Sequence, residues 1–139
     1  MLLPGKGTTV QKTQVLIVDD NKMVRDGLRT LLELEDDFSV VGDAENGLQA
    51  VEYAKALQPD VVIMDVSMPG MDGIAAAKAI KKHQPEIAIA ILSVYQADDY
   101  QNEAGQVEIT NWIPKCLTPA EIVGALRTSL LASNGNGGL

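Results

Sequence analysis

Short apolar runs alternate along this chain with stretches whose apolar residues recur at helical spacing. Gln14–Asp20 (QVLIVDD), Val61–Asp65 (VVIMD) and Ile87–Ser93 (IAIAILS) are short, rich in β-branched residues and apolar on both faces. That is the pattern of strands inside a parallel sheet covered on both sides. Phe38–Ala44 (FSVVGDA) is more mixed and suits a strand nearer an edge. Ile109–Lys115 (ITNWIPK) predicts a short edge strand, because Pro114 has no amide hydrogen to donate to a ladder.

Between the runs, Val24, Leu28, Leu31 and Leu32 form one apolar helical stripe, and Ala50, Val51, Ala54 and Leu57 form another. Ile74, Ala77 and Ile80 make a third, closed by Lys81 and Lys82, whose charges suit the negative end of a helix dipole. The last helix is announced by TPAEIVGALRTSLL: Thr118 can cap, Pro119 takes the first helical position, and Glu121 completes a capping box. Ile122, Ala125, Leu126 and Leu130 are its apolar face. The Gly- and Asn-rich SNGNGGL at the end reads as a flexible tail or the start of a linker.

Five strands alternating with five helices predict an α/β fold with a doubly wound parallel sheet, since parallel neighbours need right-handed crossovers. Ligands in such sheets bind at the carboxyl ends of the strands. Asp19, Asp20 and Asp65 all lie at that edge, and if the first and third strands are neighbours the three carboxylates converge. Mg²⁺, which takes hard oxygen ligands and leaves room for a phosphate oxygen, would relieve their repulsion. Lys115 ends the last strand at the same edge with an ammonium, and Ser93 ends the fourth with a hydroxyl. Together they describe a pocket for a dianionic group beside a metal, with a carboxylate available as nucleophile. Taken singly, each has a plainer role: an Asp after a strand is usually a cap or turn former, and a lone Ser or Lys is usually solvated.

Composition narrows the partners. The 139 residues are the size of one ordinary domain, with 46% hydrophobic and 22% charged residues, as in a folded soluble protein. A net charge of -8 disfavours direct contact of this segment with nucleic acid and favours protein or cation partners. The single Cys116 permits no internal disulfide, and no apolar run is long enough for a bilayer or a signal peptide, so a cytoplasmic location is expected.

From about Gln14 to Leu131 the chain resembles the receiver domains of two-component response regulators, with 1–13 and 132–139 as flanking tails. The resemblance rests on VLIVDDN, MDVSMPGMDG, ILSVY and WIPK, which occur in family order. It implies a flavodoxin-like sheet of strand order 2-1-3-4-5 and a signalling switch rather than an enzyme with external turnover. Asp65 would accept a phosphoryl group from a sensor histidine kinase. Asp19, Asp20 and Asp65 would hold Mg²⁺ with the backbone carbonyl of Ser67, and Ser93 and Lys115 would contact the phosphoryl group. Ser93 and Trp112 occupy the two positions coupled by the family's switch, and Ser67 and Tyr95 occupy those that tune the lifetime of the acyl phosphate. Homodimerisation on activation would use the fourth helix, last strand and last helix, with transcription regulation as the output.

The departures from the family pattern are local. Cys116, not proline, follows Lys115, so the cis peptide common there is not expected. Gly105, Val107 and Ile109 predict a short or frayed fourth helix. Two other functions compete. A phosphatase with an aspartyl nucleophile usually has a second Asp two residues on, where this chain has Ser67. A pseudo-receiver would lack part of the pocket, and here Asp19, Asp20, Asp65, Ser93 and Lys115 are all present. His83 at a helix end reads as a solvated residue, and Met64, Met68 and Met71 as packing.

Overall fold

Alternation along each central strand sends its side chains into two separate cores. The computed structural model describes residues 12–66, 73–93, 111–114 and 117–138. The strands are β1 (Thr13–Val18), β2 (Phe38–Ala44), β3 (Val61–Asp65), β4 (Ala88–Ser93) and β5 (Asn111–Pro114). They form one sheet in the order β2-β1-β3-β4-β5, with every neighbouring pair parallel. The helices among the described residues are α1 (Lys22–Glu33), α2 (Gly47–Leu57), α3 (Gly73–His83) and α4 (Pro119–Gly138).

One core holds Leu16, Val18, Val62, Met64, Ile89 and Ile91 against Ala50 and Ala54 of α2 and Ile74, Ala77 and Ile80 of α3. The other holds Val15, Ile17, Val61, Ile63, Ala90 and Leu92 against Leu28 and Leu32 of α1 and Val123 and Leu126 of α4. This explains why β1, β3 and β4 are apolar at consecutive positions: helices cover both faces. Each large aliphatic side chain so buried contributes about 1.5–3 kcal/mol of transfer free energy. Three of the expected helical stripes are buried or packed as read, but Leu57 is not a core residue. It is 39% exposed at the end of α2, where its methyl group lies over Gly42, whose lack of a side chain leaves it room.

Pro114 closes β5 at the sheet edge, where its missing donor costs nothing. The capping box forms as expected: the Thr118 amide donates to Glu121 Oε1 at 2.9 Å and the Glu121 amide to Thr118 Oγ1 at 3.3 Å. The carboxyl of Glu121 is consequently held below its ordinary range, mainly by the Thr118 amide. The backbone of α4 continues helical to Gly138, through the stretch read from sequence as a tail. Residues 94–110, with the helix expected between β4 and β5, lie outside the described residues, as does the peptide after Lys115.

Arg127 ties α4 to the turn ahead of β2. Its Nε donates to Asp37 Oδ2 at 2.8 Å, its Nη2 donates to Glu35 Oε1 at 2.6 Å and Asp37 Oδ1 at 2.8 Å, and its guanidinium lies 5.5 Å from the centre of the Phe38 ring. The hydrogen bond to Arg127 holds the Asp37 carboxyl below its ordinary value of 3.8. A depressed carboxyl contributes stability above its unfolded value and loses it as pH falls. Because the partners are half exposed, Arg127→Ala should cost only about 1 kcal/mol at neutral pH. Denaturant titrations of both proteins should show the gap narrowing as pH drops below 3.8, where Asp37 begins to protonate.

Candidate functional site

The sheet register decides which carboxylates meet. Val18 pairs with Met64, so the next residues, Asp19 and Asp65, leave two adjacent parallel strands at the same carboxyl edge. Asp19 is 1% and Asp65 5% exposed, while Asp20 faces solvent. One carboxylate oxygen from each of the three lies within 4.8 Å of the other two. At that separation a like-charge pair repels by about 3 kcal/mol at an effective dielectric constant near 20.

Local sequence explains how the turn is held. The Asp19 amide donates to Ala44 O at 3.1 Å, and Asp19 Oδ1 accepts from the Asn21 amide at 2.9 Å. Asn21 then caps α1, its Oδ1 accepting from the amides of Met23 at 2.9 Å and Val24 at 3.3 Å. Asp19 thus does serve the plainer role of a turn former, with one oxygen. The donor set of three carboxylates suits a hard, oxygen-seeking divalent cation and offers no soft ligand.

The remaining predicted residues are placed only in part. Leu92 pairs with Asp65, which sets Ser93 one position further along the same edge, and Ser93 pairs with Pro114. Trp112 pairs with Ile91, two positions before Ser93. Lys115 follows Pro114 in the chain. It lies outside the described residues, as do Ser67, Tyr95, Cys116, Met68 and Met71. His83 is exposed in the last turn of α3 and Met64 is fully buried, in keeping with their structural readings.

Comparison with known proteins decides the family. The profile of the response regulator receiver domain matches residues 15–127. The chain belongs to that family. It is similar to the response regulator protein VraR of Staphylococcus saprophyticus, with 36% identity over 114 residues, or 82% of this chain and 54% of the relative. Among solved structures it is similar to a LuxR-family two-component response regulator from Aurantimonas sp. SI85-9A1, with a TM-score of 0.81 and 29% identity over 88% of this chain and 87% of that one. It is also similar to the isolated receiver domain of RcsB from Salmonella enterica serovar Typhimurium, solved with the phosphomimetic BeF₃⁻. That match has a TM-score of 0.75 and 30% identity over 84% of this chain and 87% of that one. The receiver spans about half the length of the curated relatives it matches.

Two residues beside the acidic cluster make contacts that the sequence does not announce, although Gly73 itself closes the MDVSMPGMDG motif. A Cβ on Gly73 would press into the Asp65 carbonyl oxygen and come within 2.8 Å of Val66 Cα, and the Gly73 amide donates to Val66 O at 3.0 Å. The glycine that opens α3 is therefore part of the wall behind Asp65. Arg25, one turn into α1, donates from Nη1 to the Asp19 carbonyl at 2.7 Å. Neither contact leaves a periodicity or a spacing by which sequence could announce it.

Proposed function

We propose that this receiver is a phosphoryl-accepting switch in which Asp65 takes the phosphoryl group of a sensor histidine kinase in a Mg²⁺-dependent reaction. The observation that carries the reading is the convergence of Asp19, Asp20 and Asp65, two of them buried, on one point at the sheet edge. A divalent cation at that point would offset the mutual repulsion of the three carboxylates.

Asp19, Asp20 and Asp65, with the Ser67 carbonyl, are the residues that would hold Mg²⁺. When bound, the ion supplies charge neutralisation at the carboxylates and at the incoming phosphoryl oxygens. The backbone of Asp65 is held at the end of β3 and its side chain is buried, which limits the positions its carboxylate can take. A new Oδ–P bond forms as the donor's N–P bond breaks, and the electron pair stays on the departing imidazole nitrogen. Ser93 and Lys115 receive the transferred oxygens. Ser93, recruited to the phosphoryl group, draws Trp112 with it, and this changes the face of the fourth expected helix, β5 and α4, on which homodimerisation is expected. Ser67 and Tyr95, two beyond Asp65 and two beyond Ser93, set how readily water reaches the acyl phosphate.

Residues 14–131 form the receiver unit, with 1–13 and 132–139 flanking it. It works in the cytoplasm; among the described residues no helix is long and apolar enough to cross a membrane. Several curated relatives carry the name transcriptional regulatory protein, and with a net charge of -8 this half would leave DNA contact to another part of such a protein. Phosphate release followed after mixing with Mg²⁺ and a small phosphoryl donor separates this reading from an aspartyl phosphatase. A receiver takes up no more than one equivalent per chain and then releases phosphate slowly, whereas sustained turnover of excess donor would establish an enzyme.

A further inference from the structure

Arg25 is largely shielded where a helix-surface arginine would be exposed. Only 11% of its side chain is accessible, and its shortest bond goes to a backbone carbonyl, that of Asp19, at 2.7 Å. Its Nε lies 3.6 Å from Asp43 Oδ1, and the other oxygen of Asp43 accepts from Arg29 Nη2 at 2.9 Å. The last two residues of β2 therefore grip Asp19 from both sides. Ala44 takes its amide directly, and Asp43 anchors the guanidinium that takes its carbonyl.

From this geometry we infer that Arg25 is a positioning residue for the acidic site: its guanidinium fixes the peptide joining Asp19 to Asp20, and so aims the two carboxylates at one point. Asp20 is exposed, so little besides the backbone that carries it restricts where its side chain starts, and its rotamers then sample the space around that point. The plainer role, an ion pair holding α1 to β2, is already filled by Arg29 and Asp43 at 2.9 Å, which makes the longer Arg25 contact to Asp43 redundant for that purpose. Charge-assisted donation to a carbonyl is short and directional, which suits orienting a peptide.

The inference rests on reading the three carboxylates as a cation site, and it has a sign that charge alone would reverse. A guanidinium beside a cation site repels the cation, so its removal should tighten binding if charge were its only effect. If it aims the carboxylates, its removal weakens binding, and outer partners of metal ligands commonly contribute about 10–100-fold in affinity.

Titration calorimetry of Mg²⁺ into the full chain tests this with the parent protein, Arg25→Gln, Arg29→Gln and Asp43→Asn, each checked for folding by circular dichroism. Arg25→Gln should raise Kd about tenfold or more. Arg29→Gln, the same charge change without the carbonyl contact, should stay within about twofold, and Asp43→Asn should weaken binding by a few-fold through the loosened guanidinium. Binding by Arg25→Gln as tight as the parent's or tighter overturns the inference, as does an equal loss in Arg25→Gln and Arg29→Gln. Should Arg25→Gln not fold, unchanged affinity in Asp43→Asn overturns it. A parent protein without saturable Mg²⁺ binding would instead sink the cation-site reading, and the Arg25 role with it.

Discussion

Chelating Mg²⁺, or replacing Asp20 with Ala, is expected to slow phosphoryl uptake at Asp65 by about a thousandfold. Without a cation, a dianionic donor must approach carboxylates already within 4.8 Å of one another. One uncompensated charge pair at such distances is worth about 3–4 kcal/mol at an effective dielectric constant near 20. Each 1.36 kcal/mol on a barrier is about a factor of ten in rate, so a single such pair already approaches a thousandfold. Asp20 is exposed and sits among like charges, so its replacement should not lower the stability of the metal-free protein and, by relieving repulsion, should raise it, and the lost rate cannot be charged to unfolding. Thermal melts supply the check: Mg²⁺ should raise the midpoint of the parent protein and not of Asp20→Ala, since only a ligand that binds the native state stabilises it. Adduct formation at an ordinary rate in excess chelator would remove Mg²⁺ from the account.

Among Gly27, Gly42, Gly73 and Gly124, Gly73→Ala is expected to be the most damaging addition of a methyl group. The added Cβ meets backbone on every near side, namely the Asp65 carbonyl and Val66 Cα, rather than the yielding end of a side chain. Gly42 offers the contrast: a Cβ there meets Leu57 Cδ1 at 2.8 Å, and the half-exposed leucine can swing aside. Relief at Gly73 requires β3 and the start of α3 to separate, which breaks the 3.0 Å hydrogen bond from Gly73 to Val66 and moves Asp65 itself. A cost of about 3 kcal/mol is expected from such overpacking, and near-total loss of phosphorylation at temperatures where the variant is still folded. Gly42→Ala should lose less than about 1 kcal/mol and keep its phosphorylation. Equal effects at the two glycines in denaturant titrations would contradict this difference.

What could be read from the sequence divides along physical lines. The central strands are legible because coverage on both faces forces every position of VVIMD to be buried, and the shortness and β-branched content of the run separate it from a buried helix segment. The start of α4 is legible because Thr118, Pro119 and Glu121 act on neighbours three residues away. Asp19, Asp20 and Asp65 could be placed at one edge once the strands were found, since a parallel sheet aligns its carboxyl ends. Leu57 was misread because helical spacing says which residues share a face and not where that face runs past the core. The contacts of Arg25 and Gly73 escape the sequence for a related reason, although Gly73 itself closes the MDVSMPGMDG motif. Their partners are the carbonyl of Asp19 and the backbone of Asp65 and Val66, and backbone atoms carry no sequence signature.

The central claim is that Asp65 carries the phosphoryl group, and the most direct measurement is chemical mapping of the adduct. The full chain is incubated with Mg²⁺ and a small phosphoryl donor, its intact mass is recorded, and the acyl phosphate is trapped by borohydride reduction before peptide sequencing by mass spectrometry. The account predicts one base-labile phosphoryl group per chain, reduction confined to the peptide that holds Asp65, and no adduct in Asp65→Asn. An adduct that maps to another residue, or that persists undiminished in Asp65→Asn, would contradict it.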